Sequence, residues 1–460
     1  MGRASSCLGP AASGILRDTL ASVWTPPARG LPGHRRQQAS PDSSSGKPIR
    51  RWHAVLYRKM DSTGDELSIL GFGCMRLPQK SGRIEEERAT RQLRGAIDRG
   101  VNYVDTAVPY HTGTSEPFVG RALSSGYRDR VKLATKLPPW ETSTRADMDR
   151  ILGEQLKKLQ TDHIDYYLAH ALDGNSWGKM RDLGVLDFLE QAKSDGRIVH
   201  AGFSFHGDLP AFKEIIDAGE WQFCQIQYNY LDEKFQAGTE GLEYAASKGL
   251  GIIVMEGLRG GLLGRNVPPE VRRIWDEADV KRTPAEWALR WVWNRPEVHV
   301  ILSGMNDEGH IAENLRIADE APPDSLTDRE LELVRRVAGT YRGLMKSDCT
   351  GCRYCLPCPA GVAIPDCLQG YNNKHALRDK RAGMMYALFV GGASSGTPAL
   401  ASLCTECGTC LPKCPQNVPI PELLKEVAAD FEGPFFPVKT WLLKRMMAFG
   451  SWRAKRGSRS

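Results

Sequence analysis

Beyond residue 66 the chain alternates short, almost continuous apolar runs with stretches in which apolar positions recur every three or four residues. The strand-like runs occupy 67–73, 101–106, 131–136, 164–170, 199–204, 223–228, 250–255 and 298–303. Helical periodicity lies between them, for example over 85–99, 145–159, 185–193 and 311–318. An apolar strand followed by an amphipathic helix is the pattern of a parallel sheet covered by helices. Eight such units within 67–321 match the size of a (β/α)8 barrel, so the expected fold class is α/β with a closed TIM barrel. A doubly wound open sheet shares the alternation, but no glycine fingerprint follows the first strand. The helix before the eighth strand is predicted to start at Thr283 as N-cap, with Pro284 in the first turn and Glu286 closing a capping box.

Thr327 and Glu330 repeat the capping-box spacing ahead of a further helix over 326–342, after which the pattern changes. This divides the chain into a barrel over 54–342, a small α-helical domain over 343–432, and flanking segments 1–53 and 433–460. The first segment is rich in Ser, Gly, Pro and Arg without sustained periodicity, which predicts a disordered basic extension. The same acid-poor composition fits an organelle transit peptide, although Pro26, Pro27 and Pro32 interrupt the amphipathic helix such a peptide needs. The last segment mixes Trp, Leu, Met and Phe with Lys and Arg. It reads as a basic amphipathic tail, either packed on its own protein or in weak contact with a membrane surface.

The chain has 460 residues, 41% hydrophobic and 25% charged, which excludes a fibrous or wholly disordered protein. No run approaches the roughly 18 consecutive apolar residues of a membrane helix. The net charge of +6 is unevenly placed: 1–53 carries +6 and 433–460 carries +7, leaving −7 between them. Basic ends on an acidic body are not a basic groove, so no nucleic-acid partner is expected.

Barrels of this kind place their chemistry at the C-terminal ends of strands. Asp105 ends the second run, Lys136 the third and His170 the fourth, while Tyr110 follows Asp105 by five residues. Each alone has a plain structural explanation, as a cap, a rim cation, a rim aromatic or a backbone-bonded imidazole. On consecutive strand ends they form one catalytic constellation. An ammonium at Lys136, held by Asp105, is expected to lower the Tyr110 phenol from its usual pKa of about 10. Tyr110 then gives a proton to a substrate oxygen that His170 orients, which suits a carbonyl gaining a hydride.

In the segments Asp105-Thr-Ala-Val-Pro-Tyr110, Ala134-Thr-Lys136 and Leu168-Ala-His170 the chain resembles the aldo/keto reductase family, over residues 54–321. The resemblance implies an oxidoreductase that reduces an aldehyde or ketone with NAD(P)H, or oxidises the alcohol, with no metal or flavin in the barrel. It further implies cofactor positions: Ser204 and Gln225 at the carboxamide, and Met255 beside the nicotinamide where many members stack an aromatic. Leu258, Gly260 and Gly261 would line the pyrophosphate, with Ser303, Glu313 and Asn314 on the adenine side. His310 falls where many members use Arg for the 2′-phosphate. Without that bidentate donor, preference for NADP over NAD weakens, and both stay open.

Eight of the twelve cysteines form two tight groups, and steps of two intervening residues gather thiolates around a metal centre rather than a disulfide framework. Cys349-x2-Cys352-x2-Cys355-x2-Cys358-Pro is followed by Cys404-x2-Cys407-x2-Cys410-x3-Cys414-Pro, and the second run is the bacterial ferredoxin pattern. In that pattern Cys349, Cys352, Cys355 and Cys414 hold one [4Fe–4S] cluster, and Cys404, Cys407, Cys410 and Cys358 a second. The first run is one residue short of the pattern before Cys358. Zinc is the alternative, but two triple-Cys runs each closing in Cys-Pro exceed what tetrahedral zinc requires. Cys367 reads as a packed thiol.

The domain order resembles aldo/keto reductases with a C-terminal ferredoxin-type domain. The expected partners are a small carbonyl or alcohol substrate and a redox protein, with the clusters serving as electron relay or as a structural staple. The competing function is a non-enzymatic redox-sensing module whose nicotinamide and cluster states control docking. The thiol usage places the chain in a reducing compartment, the cytoplasm, or an organelle if 1–50 is a transit peptide.

Overall fold

The computed structural model describes residues 55–457 apart from 350, 352, 354, 395 and 415, with side chains to 446. The expected basic extension over 1–53 lies outside the described residues. Eight parallel strands close into a barrel: β1 (Leu70–Gly73), β2 (Tyr103–Asp105), β3 (Lys132–Leu137), β4 (Ile164–Leu172), β5 (Ile198–Phe205), β6 (Phe223–Gln227), β7 (Gly251–Met255) and β8 (Val298–Ser303). Each strand pairs with the next in sequence, and β8 pairs with β1. The expected α/β barrel is therefore the fold.

The first apolar run does not form one strand. Leu67 and Ser68 belong instead to a hairpin, Tyr57–Met60 with Asp65–Ser68, that closes the N-terminal end of the barrel. Ser68 turns the chain there, its N–H donating to Asn102 Oδ1 at 2.8 Å and its hydroxyl to the Leu70 carbonyl at 2.8 Å. Met60 and Leu67 point up among Tyr103, Tyr166, Phe223, Ile253 and Val300 inside the barrel. Gly251 makes room for them, since a Cβ there would lie 2.2 Å from Met60 Sδ. Around this plug sits a satisfied polar network. Asp65 takes Lys132 Nζ at 2.7 Å, the Tyr166 hydroxyl at 2.9 Å and His200 Nε2 at 3.3 Å, and Gln222 meets the other His200 nitrogen at 2.9 Å.

Helix starts follow the sequence in part. Thr283 caps Pro284–Trp293 by accepting the Glu286 N–H at 3.0 Å, but the Glu286 carboxylate turns to Arg290 at 2.9 Å and Arg316 at 2.6 Å, so the capping box stays half made. Competition from two guanidiniums outweighs one backbone N–H. Thr327 and Glu330 do form a full box at the head of Asp328–Leu344.

Four helices follow: α1 (Ile364–His375), α2 (Ala382–Phe389), α3 (Ile420–Phe431) and α4 (Phe436–Gly457). Their core joins Ile364, Cys367, Leu368, Tyr386, Leu424, Val427 and Phe436. The segment is clamped to the barrel side. Leu377 packs with Tyr230, Trp287 and Tyr341, and Asn372 Oδ1 accepts the N–H groups of Lys346 and Ser347 at 2.9 and 3.0 Å. Gly351, at φ +71°, lies flat on the loop after β6, where a Cβ would come 2.1 Å from the Phe235 ring. Only glycine permits that backbone and that approach. No helix among the described residues is long and apolar enough to cross a membrane.

Candidate active site and cluster cavities

Three adjacent strand ends bring Asp105, Tyr110, Lys136 and His170 together. Asp105 is the last residue of β2, whereas β3 runs one residue past Lys136 and β4 two past His170. Lys136 Nζ is fully buried and commits its protons to Asp105 Oδ2 at 2.5 Å, the Thr106 carbonyl at 2.9 Å and Tyr110 Oη at 3.4 Å. Tyr110 opens a turn, Tyr110–Gly113, in which His111 and Thr112 hold φ of 51° and 57°, uncommon values for side-chain-bearing residues. His111 anchors that turn by accepting the Leu77 N–H on Nε2 at 3.1 Å.

His170 owes its aim to a bulge. The β4–β5 register shifts between Ala169 and Leu172, with Ala171 at φ 49°, and the freed Ala171 N–H donates to Ser204 Oγ at 2.7 Å. Bulges re-aim side chains in this way beside sites. The imidazole faces Tyr110 edge-on, ring centroids 6.4 Å apart, with the Trp140 indole at 5.0 Å. Its Nδ1 is buried without a partner.

The electrostatics correct one expectation. The Tyr110 phenol is not lowered: burial pushes it well above its usual range, and Asp105, Cys74 and Glu256 add to the shift. Burial and the Asp105 carboxylate, which also holds Lys136 at 2.5 Å, outweigh the ammonium 3.4 Å from the phenol. Burial also pushes the Asp105 carboxyl up, with Lys136 pulling against it. His170 is driven well below the imidazole range by burial, helped by Lys136 and His206, and is held neutral. His206 is itself lowered by burial, opposed by Gln236 and Asp173 and aided by Arg353 on the first cysteine loop.

The cofactor candidates line the same strand ends. Ser204 and Gln225 are buried at the ends of β5 and β6, and Gln225 Nε2 reaches Met255 Sδ at 3.5 Å on β7. Gln225 Oε1 is buried with no partner, an acceptor suited to a carboxamide N–H. Leu258, Gly260 and Gly261 form a tight turn after β7, the glycines at φ +64° and +85°. Arg259, between them, keeps a buried Nη1 without a partner, a donor suited to an anion. Asn314 donates to Ser303 Oγ at 3.0 Å. Glu313 already accepts from Thr283 at 2.6 Å, and His310 is exposed. The donor set fits a nicotinamide dinucleotide.

The cysteines gather into two groups. Cys358, Cys404, Cys407 and Cys410 line one small cavity with Pro357, Pro359 and Leu424, and Cys355 borders it as well as the second. The Cys410 thiol, raised first by burial, also feels Cys404, Cys358 and Cys407. Cys349, Cys355 and Cys414 line a second cavity with Ile364, Leu368 and Ile420, and Cys352 lies outside the described residues. Among the described residues no three His, Cys, Asp or Glu side chains are close enough to share one metal ion. Seven described thiols bordering two adjoining cavities suit multi-iron clusters, in which each Cys binds one iron. Cys367 faces neither cavity. It contacts the Tyr386 hydroxyl at 3.8 Å, and burial pushes its thiol up to about 12.

The aldo/keto reductase family model matches residues 69–332, more than half of the chain. The chain belongs to the aldo/keto reductase family. A second model, of a 4Fe-4S dicluster domain, matches residues 348–418 of this reductase. Curated relatives include the L-galactose dehydrogenase of Arabidopsis thaliana, 24% identical over 63% of this chain and 96% of that one. The aldo-keto reductase YhdN of Bacillus subtilis is 37% identical over 29% of this chain and 48% of its own. Among solved structures, an aldo-keto reductase from Bacillus halodurans in its holo form aligns with a TM-score of 0.53 at 26% identity, covering 62% of this chain and 96% of that one.

Three residues of the reductase's barrel mouth escape sequence reasoning. Cys74 lies fully buried behind Tyr110, Trp140 covers His170 while 53% exposed, and Met75, beside the Tyr110 turn, is 55% exposed. Trp140 follows Lys136 by four residues, a position where an unpaired aromatic is a usable signal. Cys74 and Met75 carry no such signal.

Proposed function

We propose that this reductase interconverts an aldehyde or ketone and its alcohol, with Tyr110 as proton donor and His170 as the orienting donor, and that its cysteines hold two [4Fe–4S] clusters that serve a redox partner. The observation that carries the reading is the buried Lys136, its protons committed to Asp105, Thr106 and Tyr110, beside an unpartnered His170. A bound nicotinamide supplies or takes a hydride at the substrate carbon, and a bound cluster passes one electron. The chain's own residues do the rest. Neutral His170 carries a single N–H, enough to fix a carbonyl oxygen but not to protonate it. Tyr110, held protonated by burial, releases its proton only as that oxygen becomes an alkoxide. Lys136 Nζ, 3.4 Å from Tyr110 Oη, then steadies the phenolate, and Asp105 keeps the ammonium in place. The raised phenol is thus a safeguard of the donor form.

At the adenosine end, His310 offers an exposed imidazole, which supports use of either NAD or NADP. On the cluster side, Cys349 borders a cavity of about 960 Å³ shared with Phe235 and Arg259 of the barrel loops. Cys407, from the other group, is exposed. An inner group facing the barrel and an outer group at the surface support one-electron exchange between the clusters and an outside protein, while the two-electron hydride stays between nicotinamide and substrate.

The test uses anaerobically purified, cluster-loaded protein. Tyr110→Phe is expected to leave nicotinamide binding unchanged, by fluorescence titration, and to lower carbonyl reduction about 10²–10⁴-fold. Undiminished turnover in the variant, or no nicotinamide binding by the wild type, sinks the reading.

A further inference from the structure

The apolar outer face of α2 and α4 carries no residue of either site, although α4 itself touches the Tyr110–Gly113 turn. Eight of the fourteen large apolar side chains exposed among the described residues lie on it: Met384, Met385 and Phe389 on α2, and Phe435, Val438, Trp441, Leu442 and Met446 at or along α4. Scattered exposed apolar residues need no explanation, but a contiguous set does. On α4 the spacing 438, 441, 442, 446 is one helical stripe, and it points away from the stripe that packs inward through Phe436 and Leu443. The two helices touch each other, so the outward stripes form a single patch.

Charge decides what covers it. Neither 380–405 nor 433–460 contains an Asp or Glu, while Lys380, Lys439, Lys444 and Arg445 fall within them, and Arg381 does too but is paired with Asp379 at 3.3 Å. Arg445 lies over the Trp441 ring, 5.4 Å from its centroid, which keeps a cation at the edge of the apolar stripe. A second copy of this chain would bring the same cations against themselves, and the basic segment 1–53 carries the same sign. An anionic phospholipid surface satisfies both halves: aromatic and aliphatic side chains enter the headgroup boundary while Lys and Arg meet phosphates. With no helix among the described residues long and apolar enough to span a bilayer, the contact proposed is one of lying on the surface.

We infer that the α2–α4 face docks the protein on anionic phospholipid membranes, with α4 in the plane of the interface. Full-length, cluster-loaded protein is floated with vesicles of phosphatidylcholine alone and of phosphatidylcholine mixed with phosphatidylglycerol. The wild type is expected to float with the mixed vesicles at least about tenfold more than with the neutral ones, and to lose this at high salt. Phe389→Ser combined with Trp441→Ser, and separately Lys444→Glu combined with Arg445→Glu, should each remove most of the binding. Cluster absorbance and melting temperature at wild-type values keep these comparisons valid, since all four side chains lie outside the core. Binding that ignores lipid charge, binding that survives both double variants, or no binding to either vesicle overturns the proposal. So does a concentration-dependent dimer abolished by the apolar variant, which assigns the face to a second copy.

Discussion

The two ends of the barrel hold the same four kinds of side chain. At the N-terminal end Asp65, Lys132, Tyr166 and His200 meet; at the C-terminal end Asp105, Lys136, Tyr110 and His170 do, with both lysines on β3 and Tyr166 and His170 on β4. The difference is satisfaction and access. Below, the hairpin seals the end and these four side chains are paired, both Asp65 oxygens, the Tyr166 hydroxyl and both His200 nitrogens, although Ser62 Oγ in the hairpin turn and Tyr103 Oη beside Tyr166 are buried without a partner. Above, His170 Nδ1 and Gln225 Oε1 are buried and unpartnered, and His111, Thr112 and Ala171 hold left-handed backbone. Residue type alone therefore does not mark a catalytic end. The two quartets differ instead in whether their imidazole is left unmet, which is what an end open to a ligand requires.

Breaking the lysines separates the ends most sharply. Lys136→Met strands a buried carboxylate, so activity should fall more than about 10²-fold and unfolding free energy by about 3–5 kcal/mol. Lys132→Met removes a side chain that is itself one-third exposed and leaves Asp65 its bonds to Tyr166 and His200. It should cost about 1 kcal/mol or less and leave turnover within about twofold. Steady-state assays and chemical denaturation of the two variants read both quantities, and equal losses from the two would erase the distinction.

The pH responses differ in kind. Since Tyr110 is pushed above the phenol range, reduction should show no basic limb until pH exceeds about 10. A decline centred between pH 7 and 9 would instead mean that Lys136 lowers the phenol. At the other end, burial raises Asp65, but the hydrogen bonds of Lys132 and Tyr166 outweigh it and hold the carboxyl below its usual range. A depressed carboxyl stabilises the fold above its unfolded value of about 3.9, and the gain is lost as pH falls through the folded value. The stability gap between wild type and Asp65→Asn should accordingly be full at neutral pH and close in acid.

The smallest expected effect is at the cofactor's far end. His310→Arg should raise the ratio of NADPH to NADH affinity by about tenfold by supplying a forked donor, read by fluorescence titration, with no change in kcat.

Much of this was readable from the chain. The eight strands announce themselves as apolar runs because both faces of a parallel barrel strand are buried. The Asp105, Lys136 and His170 positions follow from strand ends. The hairpin plug is hidden because Asp65, Glu66, Arg58 and Lys59 dominate its two short strands, leaving Met60 and Leu67 as its inward anchors. The direction of the Tyr110 shift is hidden for a different reason: spacing places an ammonium near a phenol but is silent on how far burial and a 2.5 Å carboxylate cancel it. The Glu286 box failed because Arg316 arrives from a helix thirty residues away.

The most direct test of the comparison is transfer of deuterium from a 4-deuterated nicotinamide to the carbonyl carbon of an aldehyde panel, followed by NMR in wild type, Tyr110→Phe and Tyr166→Phe. Label should reach the alcohol carbon in the wild type and in Tyr166→Phe at comparable rates and be nearly absent in Tyr110→Phe. Label transfer that survives in Tyr110→Phe and fails in Tyr166→Phe would place the chemistry at the wrong end of the barrel and contradict the account.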